Sequence, residues 1–331
     1  MANTTSQNCS IDASPRAHIA LAAFLALSSL GTAAAAADFP KNEIHLVVNY
    51  GPGGNTDVAA RVLAKGMEAR LGRPVVVENK PGALGTLGPG YVARQTPDGY
   101  TVGVVTYSTQ AILPHLMKLP YGAQDFAFVA GVGRYRYGIV VRTDSPYLTL
   151  QDLLNAAKKG DGVFLGSPSA SVNLAVLELS RQTGGKFEQV LYKSGTETVN
   201  ALLGKQIDVT VANPSDVLPH MQAGKLRMIA SVGPMRWPEY PDVPTLRESG
   251  WPVQIDSSIG LAAPLGTPPE VLAILQDAAL AAVRDAATLE SFDKLGMDAM
   301  PLNGAEYAAQ LKKGLQEMGQ MIRDTQMPRI N

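Results

Sequence analysis

The stretch from Asn49 to Asp57 constrains the fold of this chain more than any other part of the sequence. It has the sequence NYGPGGNTD and follows an apolar run, Ile44–Val48, and the pattern predicts a helix at Asn55–Leu71. A strand, a glycine-rich turn and a helix start therefore follow one another. Glycine lets backbone amides approach a ligand, and the first turn of a helix has N–H groups with no partner inside the helix. A glycine-rich turn that leads into a helix therefore favours binding of an anion, here a carboxylate.

Strand and helix patterns alternate along the rest of the chain. After the glycine-rich turn and its helix we expect a strand at Val75–Asn79, a helix at 84–95 and a strand at 100–106. A second alternating unit begins with a strand at 137–141. Such alternation predicts an α/β protein with mostly parallel sheets and helices on both faces. Ligands bind such sheets beyond the carboxyl ends of the strands.

The end of the chain has a different pattern. Three helices are predicted at 268–285, 287–295 and 305–324, and we expect them to pack on the first alternating unit. The chain has 331 residues, of which 46% are hydrophobic, and this favours two domains over one. Lys and Arg number 28 against 29 Asp and Glu, with no block of like charge. Neither nucleic acid nor an anionic membrane surface is therefore expected as a partner.

Residues 1–37 have the pattern of an export signal. Arg16 precedes an apolar segment at 19–27, and the run 35–37 offers an A-x-A cleavage site before Asp38. The alternative, a membrane anchor, is disfavoured because the apolar segment is shorter than the roughly 20 residues of a membrane span. Cys9 is the single cysteine and lies ahead of the cut. The mature protein would then have no disulfide, no catalytic thiolate and no cysteine–zinc site.

The usual catalytic and cofactor motifs do not occur in this sequence. There is no G-x-S-x-G elbow and no P-loop, and the glycines at 82–88 have the wrong spacing for a dinucleotide fingerprint. His45, His115 and His220 form no metal-binding pair. We therefore expect no cofactor, no metal and no enzymatic activity.

Several residues near the predicted strand ends leave two interpretations open. Asp57 either favours the helix dipole or accepts a hydrogen bond from a ligand. Tyr50, Tyr107 and Tyr192 either cap the core or line a cleft. The turn after Pro81–Gly82 is either only structural, or its Leu84, Gly85 and Thr86 amides and the Thr86 hydroxyl reach a ligand.

Six short motifs together resemble those of one family. PGGNTD at 52–57 is similar to that family's PGGxxD loop, and VVVENKPG at 75–82 and PDGYT at 97–101 follow in the same order. LPHMQAGKLR at 218–227, PDVPT at 241–245 and APLGTP at 263–268 complete the set. The chain thus resembles the substrate-binding proteins of tripartite tricarboxylate transporters, also called Bug or TctC-like receptors. The resemblance covers nearly all of the sequence after the export signal.

The resemblance implies a two-lobed periplasmic-binding-protein fold of type II, the Venus-flytrap arrangement, with the ligand between the lobes. Lobe I would comprise 38–140 and 260–331, and lobe II would comprise 141–259. It implies a periplasmic, monomeric receptor that delivers a small organic carboxylate to integral membrane subunits of a transporter. Backbone amides, hydroxyls and ordered waters would hold the carboxylate. The chain departs from the family's motifs at some positions, such as Tyr50 and Gly51 in the first loop, so the resemblance does not identify the ligand.

We therefore expect a receptor for a mono- or dicarboxylate, with Tyr50 and Tyr107 favouring an aromatic acid. The alternatives are a hydrolase or lyase that uses Asp57 or Lys193 in the same cleft, and a sensor module for a membrane kinase. The residues expected to bind the ligand are Tyr50, Gly53, Gly54, Asn55, Thr56, Asp57, Leu84, Gly85, Thr86, Thr106, Tyr107, Ser108, Thr109, Ser167, Ser169, Ser171, Tyr192, Ser194 and Asn213.

Overall fold

A computed structural model describes Met1 and residues 39–159, 162–167, 170–192, 194–254 and 256–330. The predicted export signal with its cleavage site, and the predicted site residue Ser169, lie outside the described residues, as does Lys193. Contacts divide the chain into two units, Met1–Lys41 and Asn42–Asn331. The second unit contains all the strands and helices described below.

Strands of the second unit form two sheets. The strands are β1 (Ile44–Val48), β2 (Val75–Asn79), β3 (Thr101–Thr106), β4 (Phe126–Tyr135), β5 (Gly138–Arg142), β6 (Val163–Ser167), β7 (Phe187–Leu191), β8 (Val209–Ala212), β9 (Leu226–Ser231), β10 (Ser258–Pro264) and β11 (Met297–Asn303). The first sheet has the order β11-β4-β10-β3-β1-β2, and the second has the order β7-β6-β8-β5-β9. The α/β fold class predicted from the sequence is confirmed.

Both sheets are mixed, whereas the sequence suggested mostly parallel ones. In the first sheet β1 pairs in parallel with β2 and β3, but β10 runs antiparallel to β3 and β4. In the second sheet β6 is parallel to β7 and β8, and β5 is antiparallel to its neighbours β8 and β9. The antiparallel strands β5 and β10 are the ones that follow a passage of the chain from one sheet to the other.

Helices cover the sheets. They are α1 (Asn55–Leu71), α2 (Leu87–Val92), α3 (Leu113–Leu116), α4 (Leu150–Lys158), α5 (Ala170–Thr183), α6 (Gly195–Leu203), α7 (Pro214–Gln222), α8 (Pro269–Arg284), α9 (Ala286–Lys294) and α10 (Gly304–Thr325). The helix predicted at 84–95 is broken into a short turn and α2. The break occurs because Gly82, Leu84 and Gly85 have positive φ angles.

Helix α1 follows from its local sequence. It buries one apolar face, ends at Gly72 in the left-handed conformation, and has Asp57 in its first turn and Arg70 in its last turn, as the helix dipole favours. The C-terminal helices return to this part of the molecule. A Cβ atom on Gly66 would lie 2.7 Å from the Cβ atom of Ala282, so α1 and α8 pack with almost no space between them.

Arg136 anchors the segment in which the chain first passes from one sheet to the other. It lies between Tyr135, the last residue of β4, and Tyr137. Its side chain is 4% exposed. Its guanidinium donates to Glu239 at 2.8 Å and to Asp293 at 2.9 Å, two carboxylates from distant parts of the sequence. These bonds hold Tyr135 and Tyr137, on either side of Arg136, in fixed positions.

Candidate functional site

A cavity of about 440 Å³ lies where the ends of strands from both sheets meet. Its lining comes from the loop after β1, the end of β3, the passage between β4 and β5, the end of β8 and the start of β10. The starts of α1, α5, α6 and α7 also contribute. This is the edge at which an α/β sheet places its ligands, and a cavity of this size suits a small molecule.

The start of α1 opens into the cavity through Gly53, Gly54, Asn55 and Thr56. Gly54 is the N-cap residue and no side chain caps the helix. The Gly53 amide, which we expected to face the ligand, instead donates to Asp57 Oδ2 at 2.9 Å. The first-turn amides of Asn55 and Thr56 precede any residue that can accept from them within the helix. The cavity therefore meets the positive end of a 17-residue helix without a capping side chain.

Asp57 fixes the loop before α1 from a position outside the cavity lining. Its side chain is 2% exposed and accepts hydrogen bonds from the Gly53 amide, from Arg61 Nε at 2.9 Å and from Asn79 Nδ2 at 2.7 Å. Burial acts to raise the pKa of Asp57, but the three hydrogen bonds together outweigh it and the pKa is lowered. Asn79 also donates to the Tyr50 carbonyl oxygen at 3.0 Å, so one network fixes both ends of the loop.

Tyrosine hydroxyls on the cavity wall are paired with hydroxyls of the protein. The Tyr135 hydroxyl lies 3.0 Å from Thr56 Oγ1. Burial raises the pKa of Tyr50, a hydrogen bond with Thr106 opposes this in part, and the net shift is upward. Burial likewise raises the pKa of Tyr135, which the bond with Thr56 only partly offsets. These phenols therefore stay neutral at physiological pH.

The second sheet contributes two helix starts. Ser194 caps α6 by accepting from the Glu197 amide at 3.2 Å. Asn213 is the N-cap residue of α7, but its side chain makes no capping bond, and its Oδ1 atom is buried without a hydrogen-bond partner among the described residues. Pro214 follows at the first helical position, where its missing N–H costs nothing. Asp216 lies in the first turn of α7 and also lines the cavity.

One hydrogen bond joins the two sides of the cavity directly. Asn55 Nδ2, at the start of α1, donates to Ser215 Oγ, at the start of α7, at a distance of 3.0 Å. The two helix starts thus lie close together, and a ligand between them would contact both. Among the described residues that line the cavity, Asp216 alone has a charged side chain, so no lysine or arginine from this set is available to an anion.

The structure brings about half of the predicted site residues into this cavity. The lining includes Tyr50, Gly53, Gly54, Asn55, Thr56, Thr106, Ser108, Ser171, Ser194 and Asn213. Asp57, Leu84, Gly85, Thr86, Tyr107, Thr109, Ser167 and Tyr192 lie outside the lining. A ligand-binding role for any of these residues stays a prediction.

Packing explains why that second group lies outside the lining. Thr109 is fully buried and donates to the Thr106 carbonyl oxygen at 3.0 Å. Tyr107 is 4% exposed within the hydrophobic core of the first sheet. Thr86 donates to the Ala83 carbonyl oxygen within its own turn, and a Cβ atom on Gly85 would lie 2.9 Å from the Tyr50 ring. The turn at 84–86 thus supports the cavity wall from outside.

Sequence reasoning missed several lining residues. Tyr135, Tyr137, Gly195, Thr196, Val211, Ala212, Asp216, Ser257, Ser258 and Ile259 belong to the lining but not to the predicted set. A signal was present for Asp216, because it follows Asn213-Pro214 at a predicted strand end. An acidic residue in a first helical turn is, however, ordinarily assigned to the helix dipole alone.

The fold and the cavity together define a two-sheet α/β binding protein of the periplasmic solute-receptor class. The family model for "Tripartite tricarboxylate transporter family receptor" matches residues 59–327. The chain belongs to this family of periplasmic solute-binding receptors, and the resemblance noted from its motifs is confirmed.

Three relatives illustrate this similarity. A protein from the gbd 5′ region of Cupriavidus necator is 37% identical over 298 residues, which is 88% of this chain and 90% of the relative. The structure of the periplasmic binding protein BugD is similar with 29% identity and a TM-score of 0.76, covering 88% of this chain and 100% of BugD. MatC of Rhodopseudomonas palustris, solved with bound malate, has 27% identity and a TM-score of 0.74, covering 86% of this chain and 100% of MatC.

In the described residues, no helix combines the length and apolar character that crossing a bilayer requires. The same residues contain no cluster of three or more histidine, cysteine or acidic side chains placed to hold a metal ion.

Proposed function

We propose that this protein captures a small organic mono- or dicarboxylate in the cavity between its two sheets and delivers it to integral membrane subunits of a tripartite transporter. The observation that carries the proposal is the start of α1, which opens into the cavity without a capping side chain. Unpartnered amides and the positive end of a helix dipole stabilise an anion without a lysine or arginine. The malate bound in MatC is an anion of this class.

Hydroxyl groups would complete the binding of the carboxylate. Ser108 lines the cavity from the first sheet, and Ser171 and Thr196 line it from the second. In a site largely closed to water, each of these contacts is worth more than it is at the surface. The ring of Tyr50 would contact an aromatic acid if the ligand has one. Binding and release need no covalent step.

The proposed movement is closure of two lobes over the ligand, lobe I from 38–140 with 260–331 and lobe II from 141–259. The hydrogen bond between Asn55 and Ser215 supports closure, because it joins residues that are 160 positions apart in sequence across the cavity. In the proposed movement this bond breaks on opening and forms on closure, as entry and release of a ligand require.

Titration calorimetry with a panel of mono- and dicarboxylates tests the proposal. Gly54→Leu is the informative variant, because Gly54 has an ordinary φ of −74° and a Cβ atom there would approach no atom closer than 3.5 Å. The leucine is therefore tolerated by the backbone but enters the cavity. Gly51→Leu is the matched control, because a Cβ atom on Gly51 has no neighbour within 4 Å and Gly51 does not line the cavity.

The expected result is micromolar binding of at least one acid, lost in Gly54→Leu and retained in Gly51→Leu. The acid should be recovered chemically unchanged after long incubation, as a receptor requires and a hydrolase or lyase does not permit. Equal loss in both variants, or no binding across the panel, would contradict the proposal.

The proposal includes export to the periplasm with cleavage before Asp38. N-terminal sequencing of the protein from a periplasmic fraction tests this part. A mature chain that starts at or next to Asp38 is expected, and an intact N-terminus in a membrane fraction would contradict it.

A further inference from the structure

Helix α5 has two apolar sides that belong to two different hydrophobic cores. Val172, Val176 and Leu179 are buried in the core of the second sheet, whose strands β6 and β7 precede and follow α5 in the chain. Leu174 is also buried, with 2% of its surface exposed, but it belongs to the core of the first sheet. Because each helical residue turns by about 100°, Leu174 points almost directly away from the other three residues. The helix therefore connects the two sheets through its opposite sides.

Leu174 packs where α10 and the segment after β3 meet on the side of the first sheet. A cavity of only about 10 Å³ is left at this contact, which is at the lower limit for a single water molecule. This small cavity is lined by Tyr107, Ile112, Ser171, Leu174, Ala175, Gln254, Asp256, Met318 and Met321. The contact is therefore close-packed, and a separation of α5 from α10 would expose the leucine side chain to water.

The contact lies between the candidate ligand cavity and the second passage of the chain between the sheets, at 232–257. Ser171, one helical turn before Leu174, lines both the small cavity and the ligand cavity. Asp256, at the end of the second passage, also lines the small cavity and accepts a hydrogen bond from Gln310 Nε2 of α10 at 2.8 Å. Leu174 itself lies outside the lining of the ligand cavity. A change at Leu174 would therefore act on a bound ligand through the position of α5.

We propose that Leu174 is a positioning residue that holds the two sheets in the closed arrangement and thereby sets the affinity for the carboxylate. Burial of its side chain stabilises only the form in which α5 lies against α10, because separation returns the leucine to water. The apparent affinity of a ligand falls in proportion to the fraction of protein in the binding-competent form. The inference rests on the proposed function, which supplies both the ligand and the closure.

Truncation of this side chain in Leu174→Ala tests the inference. Calorimetry with malate and the other mono- and dicarboxylates of the panel identifies the acid that wild type binds most tightly, and Leu174→Ala should bind that acid at least tenfold more weakly. Small-angle X-ray scattering of the variant without added acid should give a larger radius of gyration than that of wild type. Leu174→Met keeps an apolar side chain of similar volume and should restore most of the affinity.

The same substitution elsewhere on α5, Leu179→Ala, is the matched control. Leu179 is also 2% exposed, but it packs in the core of the second sheet. Its truncation should lower the melting temperature, as the loss of a buried leucine does, yet change the affinity less than threefold and leave the radius of gyration unchanged. Circular dichroism verifies that each variant stays folded.

The outcomes separate this inference from the proposed function. If an acid binds, and Leu174→Ala weakens its binding no more than Leu179→Ala does, the inference is overturned while the proposed function stands. If no acid binds, the proposed function is overturned, and the scattering measurement decides whether Leu174 holds the closed arrangement. An unchanged radius of gyration for Leu174→Ala would then overturn the inference as well.

Discussion

Replacing Asp57 with alanine should destabilise the protein strongly, although Asp57 does not line the cavity. The change removes the acceptor for the Gly53 amide, for Arg61 Nε and for Asn79 Nδ2. The loop before α1 then loses the network that fixes it. The substitution therefore tests whether the binding loop is held in shape by the protein itself.

The size of the effect can be worked out from these contacts. The bonds from Gly53 and Asn79 are part-buried and have a charged acceptor, and hydrogen bonds to charged groups contribute about 1.5–3 kcal/mol each at most. The Arg61 side chain is 49% exposed, so water replaces its lost partner and the cost there is at most about 1 kcal/mol. Local relaxation reduces such sums. We expect a loss of about 3 kcal/mol in the free energy of unfolding.

Urea unfolding at pH 7, followed by circular dichroism, measures this loss. Asp242→Ala is the control, because Asp242 is exposed and its side chain makes no hydrogen bond among the described residues; it should change stability by less than about 0.5 kcal/mol. The network lowers the pKa of Asp57 in the folded protein, so its stabilisation is present above the unfolded pKa and is lost as pH falls through the folded pKa. The difference between wild type and Asp57→Ala should therefore shrink below about pH 4. A loss below about 1 kcal/mol at pH 7 would refute the reasoning.

Three further substitutions test other parts of the structure by thermal or urea unfolding. Gly85→Ala should cost about 2 kcal/mol and weaken ligand binding, because Gly85 has φ of +86° and its Cβ atom would press on Tyr50; an unchanged melting temperature would contradict this. Arg136→Ala should cost about 3 kcal/mol, because it leaves the Glu239 carboxylate, 29% exposed, without its cation; wild-type stability would contradict it. Burial raises the pKa of Asp216, a shift whose contribution to stability is complete below the unfolded pKa and is lost as pH rises through the folded pKa. Asp216→Asn should therefore melt higher than wild type at pH 7 and equally at about pH 3; a lower melting temperature at pH 7 would contradict this.

Local sequence determined the elements that carry their own start and stop signals. Helix α1 begins and ends where the pattern places it, at Asn55 and Leu71, because glycines flank it on both sides. The three C-terminal helices match their predicted bounds within one residue. Each has an N-terminal proline or an N-cap residue that identifies its start.

Strands β4 and β11 were not predicted, and the reason lies in tertiary packing. β4 contains Gly131 and Gly133, which lower its strand propensity. These glycines are needed because Tyr307 and Met297 pack directly over them, with ring and methyl carbons 3.0 and 2.6 Å from where Cβ atoms would be. β11 contains Pro301, which cannot donate to the sheet. The requirement for these glycines is not visible until β11 and the C-terminal helix are in place.

The residues of the candidate site likewise fall into a group that local sequence predicts and a group that depends on tertiary packing. Loop residues directly after β1 and β3 were found, because strand ends and glycines identify them locally. Tyr135, Tyr137 and Asp216 were missed, because they reach the cavity only where the chain passes between sheets that no local pattern can align. The Gly53 amide was expected to bind the ligand, but a side chain four residues later already accepts from it.

A crystal structure of the protein with its ligand tests the central claim most directly. The account predicts that carboxylate oxygens of the ligand lie within hydrogen-bond distance of the Asn55 and Thr56 amides at the start of α1. A ligand bound elsewhere, or one whose carboxylate makes no contact with that helix start, would contradict it.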